Sequence, residues 1–149
     1  MKVLLAIDDS KFSDTAIEAV IRQSRPQETE VRVLHVIEPV PFYPDGQAWG
    51  YGPEASQVLE EQRKEAEGLI ARAGQRLRDA GFNVTTATEE GNPKVVILDF
   101  AAAWLADLIV VGSHGRKGLD RFLTGSVSEA VARHANCSVE IVRIRNGGA

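Results

Sequence analysis

The apolar positions of this chain come in short bursts, separated by longer stretches with helical spacing. Val3-Leu4-Leu5-Ala6-Ile7 and Leu108-Ile109-Val110-Val111 are continuous apolar runs without polar alternation. Such runs suit strands buried on both faces, as in a parallel sheet covered by helices. Val31-Arg32-Val33-Leu34-His35-Val36-Ile37 reads as another strand, with a wetter start. Asn83 to Thr88 is polar and β-branched and predicts an edge strand. Cys137 to Ile144 alternates and predicts a last strand, also near an edge.

Between these bursts the period lengthens. Ala16, Ile17, Val20 and Ile21 form one apolar stripe behind Ser13, a candidate N-cap, and Arg25-Pro26 ends that helix. A longer helix is predicted from about Glu54 to Ala80, with Leu59, Ala66, Leu69, Ile70, Ala73 and Leu77 on one face and Gly81 as its stop. Asn92-Pro93 supplies an N-cap and first position for a third helix through Val96, Ile97, Phe100, Ala101 and Trp104. Ser126-x-x-Glu129 resembles a capping box opening a fourth. The order β-α-β-α-β-α-β-α-β predicts an α/β fold, a doubly wound five-stranded parallel sheet with right-handed crossovers and helices on both faces. No repeat or linker interrupts it, so residues 1–149 are expected to form one domain.

Composition narrows the class. Hydrophobic residues make up 44% and charged residues 26% of the 149, the balance of a globular protein. A formal charge of −4 lacks the field of a general nucleic-acid binder, though a small anion can still be held locally. A single Cys gives no pointer to an oxidising compartment. No apolar run approaches the roughly 20 residues that span a bilayer. The first run stops at Asp8-Asp9, too short for the apolar core of a signal peptide. A cytoplasmic protein with neither nucleic-acid nor membrane partner is expected.

In doubly wound sheets, ligands bind beyond the carboxyl ends of the strands where the strand order reverses. Three segments converge there: Asp8-Asp9-Ser10, the Pro- and Gly-rich stretch from Glu38 to Pro53, and the run from Gly112 to Ser126. In the last, glycines let backbone N–H groups approach an anion, and the following helix offers unpaired N–H groups and a positive dipole end. Ser126 adds a hydroxyl, and Arg116, Lys117 and Arg121 add local positive charge. The features describe a phosphate cradle, although neither GxxxxGK[ST] nor GxGxxG is present.

Each feature also has a plainer role. The glycines can shape a tight loop, Asp8 can cap the turn after its strand, and Ser126 can be a simple N-cap. His35 sits inside an apolar strand and reads as a hydrogen-bonded core or dimer-face residue; His134 suits a helix C-terminus. His114 reads equally as a phosphate contact or a solvated loop residue. The three His show no metal-ligand spacing with Cys137, which reads as a small buried apolar residue. Trp49 and Tyr51 have three open roles: packing on a base, covering a partner, or folding back on the sheet. Nothing in the spacing of Ser126, His114 and Asp8 supports a hydrolytic triad.

The spacing Gly112-x2-Gly115-x9-Gly125-Ser126 resembles the nucleotide-binding motif of the universal stress protein family. Ile7-Asp8-Asp9-Ser10 resembles the family's first strand and turn, with Asp9 where Gly is common. Leu34-His35-Val36, Gly91-Asn92-Pro93 and Val110-Val111-Gly112-Ser113-His114-Gly115 match its second strand, third-helix opening and fourth strand. The resemblance implies strand order 3-2-1-4-5, a homodimer through the C-terminal strand, and the ATP-binding branch, because the glycines are intact. Carried over by position, it assigns Ala6, Asp8 and Val36 to the adenine and ribose side. It assigns Gly112, Gly115, Gly125, Ser126 and Val127 to the phosphates, with the Arg116 backbone beside them. Mg2+ or Mn2+ would be ligated mainly by phosphate oxygens. The last strand departs from the family's Cys-Pro-Val: Ser138 stands for Pro, and Glu140 adds a charge.

With no residue evident as a base and no catalytic residue assigned, the leading expectation is an ATP-binding stress protein. It would act as a nucleotide-dependent regulator or partner-binding module, with at most weak ATPase activity. The alternatives are a slow nucleotide hydrolase or phosphotransferase using the same cradle, and a dimeric interaction module with a vestigial pocket.

Overall fold

A computed structural model describes residues 1–39, 53–114 and 125–145. Five strands carry the sheet: β1 (Lys2–Ile7), β2 (Glu30–Ile37), β3 (Asn83–Glu90), β4 (Leu108–Gly112) and β5 (Ser138–Val142). The connecting helices are α1 (Lys11–Gln23), α2 (Pro53–Asp79), α3 (Pro93–Trp104) and α4 (Ser126–His134), with a 3-10 turn at Pro26–Glu28. All four strand pairings are parallel and the order is β3-β2-β1-β4-β5, as the resemblance implied.

The unbroken apolar runs follow from two-sided burial. Val3, Leu5 and Ile7 of β1 pack with Ala16, Ile17 and Val20 of α1 and with Ala73 and Leu77 of α2. Leu4, between them, points the other way into a cluster with Leu34, Ile97, Ala101, Ile109, Val111 and Val131, beneath α3 and α4. β3 and β5 are the sheet's outer strands, which explains their polar content. β3 runs on to Glu89 and Glu90, beyond the expected Thr88, because those residues pair with Val36 and Ile37.

Helix ends follow their local chemistry, with two shifts. Asn92 caps α3, its side-chain oxygen accepting from the Lys94 N–H at 3.0 Å, a contact worth about 1 kcal/mol. Gly81 (φ +95°) closes α2: its N–H donates to Arg78 O, and Phe82 N–H reaches Leu77 O. α1, however, starts behind Ser10, whose side chain makes no capping bond, and the expected cap Ser13 lies within its first turn, buried. α4 is capped by Gly125 with no side-chain bond, so Ser126 is its first residue and the expected capping box is not formed. Glu129 instead pairs with Arg133 at 3.0 Å.

Candidate functional site

The reversal of strand order falls between β1 and β4, and the carboxyl ends of these parallel neighbours bring Asp8 and Ser113 to one end of the sheet. Asp8 is organised locally. Its Oδ1 accepts from the Ser10 N–H (2.9 Å) and the Ser13 hydroxyl (2.9 Å), while its N–H donates to Ser13 Oγ (2.7 Å). The plain capping role of Asp8 is therefore present, and it fixes the carboxylate at the end of β1. This also explains the shift at α1, since Ser13 bonds Asp8 instead of its own helix start.

His35 belongs to β2, and its Nδ1 lies 2.8 Å from Ile7 O. A carbonyl only accepts, so Nδ1 carries the hydrogen and the ring is held across the ends of β1 and β2. Ala6, Val36 and Val127 are half-buried around the α3–α4 cluster and thus share one face of the sheet.

Two glycines have packing reasons that the sequence could not show. A Cβ on Gly112 would lie 2.8 Å from Phe12 Cβ, 2.9 Å from Phe12 O and 3.0 Å from its carbonyl carbon. Gly112 thus makes room for the first turn of α1. On Gly125 a Cβ would meet Ser113 O at 3.0 Å and His114 Cα at 3.1 Å. Gly125 N–H is already spent on Ser113 O (2.7 Å), and Ser113 N–H on Val142 O (2.8 Å).

The N–H groups of Ser126, Val127 and Ser128 form the open first turn of α4 and have no acceptor among the described residues. Two polar atoms at this end of the sheet are also buried without a partner among the described residues, Ser10 Oγ and His114 Nε2. The His114 ring leans on Phe12 at 5.3 Å, and its Nδ1 lies 3.3 Å from Ser113 Oγ. Gly115, Arg116, Lys117, Arg121, Trp49 and Tyr51 lie outside the described residues. Among the described residues no group of three His, Cys, Asp or Glu side chains is placed to hold a metal. None of their helices is long and apolar enough to cross a membrane.

Ser128 was missed in the sequence. It is buried, and its hydroxyl lies 3.0 Å from Ser113 O and 2.9 Å from Gly125 O, tying α4 to the end of β4. The signal was a serine on the inward face of an otherwise apolar stripe. Both carbonyls keep other donors, so Ser128→Ala is expected to cost only about 1 kcal/mol, read as a lower urea midpoint at unchanged m-value.

Comparison with known proteins agrees with this architecture. YxiE, a universal stress protein of Bacillus subtilis, is 34% identical over 145 residues, covering 95% of this chain and 98% of that protein. The solved structure of hypothetical protein MJ0577 superposes with a TM-score of 0.85 at 27% identity, covering 98% and 97% of the two chains. A family protein from Arabidopsis thaliana, solved with AMP bound, shares the fold at TM-score 0.67 and 21% identity, over 99% of this chain and 93% of that one. With the profile of the universal stress protein family matching residues 1–143, the chain belongs to that family.

Proposed function

We propose that this chain is an ATP-binding member of the family that works as a nucleotide-dependent regulator or partner-binding module. The observation that carries the reading is the first turn of α4, whose three N–H groups have no acceptor among the described residues behind the side-chain-free N-cap Gly125. The unpartnered Ser10 and His114 atoms at the same end, and the AMP held by the Arabidopsis relative, support it.

In this reading the amides of Ser126, Val127 and Ser128 and the Ser126 hydroxyl take phosphate oxygens. Ala6 and Val36 offer an apolar shelf to adenine, and Asp8 faces the ribose. Gly112 and Gly125 act by letting α1 and α4 approach the end of β4, and Gly115 and Arg116 complete the cradle. A bound divalent ion would neutralise phosphate charge, ligated mainly by the phosphates themselves. The edge of β5 is the proposed homodimer contact, and Glu140 limits its registers.

Mass spectrometry of the gently purified protein is expected to find an adenine nucleotide. Titration with ATP and magnesium is expected to stabilise the fold by about 2.7 kcal/mol at a hundredfold excess over Kd, with little turnover. No bound nucleotide, no heat and no stabilisation would leave only the interaction module with a vestigial pocket. Rapid phosphate release abolished by Ser126→Ala would favour the hydrolase or phosphotransferase.

A further inference from the structure

Away from the phosphate end, a groove of about 460 Å³ opens between α3 and α4. Leu98, Ala101, Leu105 and Ile109 give it an apolar lining, and Asn136 and Cys137 form the wall next to β5. Leu105 stands at its edge 76% exposed, in a left-handed backbone conformation (φ 59°). The charge around the groove is mostly negative. Asp99 is exposed on the lining. Asp107 lies close enough to raise the Cys137 thiol above its usual range, second to burial as the cause. α3 and α4 both end here, turning their negative dipole ends toward the opening. Of the nearby bases, His134 lines the groove, Lys2 Nζ is taken up by Trp104 O (3.2 Å), and Arg133 pairs with Glu129.

We propose that Arg143 and Arg145 of a second copy of this chain dock at the acidic mouth of this groove, beside Asp99 and Asp107. The proposal rests on the β5-to-β5 contact put forward above, and parity carries it further. Cys137, Val139 and Ile141 pack toward α3 and α4, whereas Val142 packs on the opposite side. Two antiparallel copies of β5 continuing one sheet must pair residues that face the same side. A register centred on Glu140 sets like charges directly opposite and is disfavoured. All four of the positions concerned flank β5 (Ser138–Val142). With its extended course carried past Val142 on pairing, a register centred on Val139 brings the second copy's Arg143 alongside Ala135, and one centred on Ile141 brings Arg145 alongside Cys137. Either way, arginines at odd positions emerge on the groove's side. Both are exposed in the single chain, and neither forms an ion pair among the described residues. Their apolar stems suit the surface of Leu105 and Ala106, and their heads suit the carboxylates.

Sedimentation equilibrium of the full chain tests this. Arg143→Glu with Arg145→Glu is expected to raise the dimer dissociation constant about tenfold at low salt, and adding Asp99→Lys to recover most of that loss. High salt is expected to weaken the unaltered dimer. Strand pairing is read separately, as disulfide-linked dimers formed by Cys137→Ser chains carrying Val139→Cys or Ile141→Cys. Cross-linking with a dissociation constant indifferent to the charge changes, or without recovery by Asp99→Lys, overturns the groove docking and leaves the strand pairing intact. A monomeric chain, or no cross-link at either position, overturns both.

Discussion

Gly112→Ala is expected to destabilise the fold by about 3 kcal/mol, the largest stability loss anticipated from a change this small. The added methyl would meet the Cβ, carbonyl carbon and carbonyl oxygen of Phe12, all at or within 3.0 Å. Two of these atoms are backbone in the first turn of α1, so relief requires moving the helix, not rotating a side chain. Moving α1 would disturb Ser13 and with it the bonds that hold Asp8. Urea unfolding of the variant measures the loss; a midpoint unchanged from the parent would show that α1 has slack at this contact. Reduced nucleotide binding in this variant would be secondary to the displaced helix.

Gly125→Val is expected to lower ATP affinity more than tenfold, over about 1.4 kcal/mol. A direct clash between the branched side chain and phosphate is the cause suggested by sequence. The geometry supplies another: the new Cβ presses on Ser113 O and His114 Cα, pushing the start of α4 away from the end of β4. Val is also a poor N-cap, so stability should fall with affinity. Calorimetric titration at a temperature where circular dichroism shows the variant folded separates the two losses. Gly125→Ala is expected to give a milder version of both. Undiminished affinity in a folded Gly125→Val protein would remove the first turn of α4 from the binding site.

The strands and helices were legible because burial on both faces leaves a distinct mark: Val3 to Ile7 and Leu108 to Val111 have no polar side to show. The topology followed from alternation, and strand order needed the family resemblance. Helix starts were less legible where serines compete. Ser10 and Ser13 are equally good caps by residue type, and only the bond from Ser13 to Asp8 decides between them. At α4 the choice between Gly125 and Ser126 depends on Ser113 O claiming the Gly125 N–H, a contact between the end of β4 and the start of α4 that the sequence does not show. For the same reason, the glycine spacing pointed to a candidate site but could not show that Gly112 also makes room for Phe12. A missing side chain looks alike in sequence whether the space is left for a ligand or for a neighbouring helix.

The peptide groups of Ser113 face two ways: its N–H holds Val142 at the end of β5, and its carbonyl holds Gly125 and Ser128 of α4. One residue thus joins the proposed anion seat to the strand whose outer edge is proposed to meet another subunit. Any free energy passed through that joint is reciprocal, so occupancy and self-association would each shift the other by the same factor.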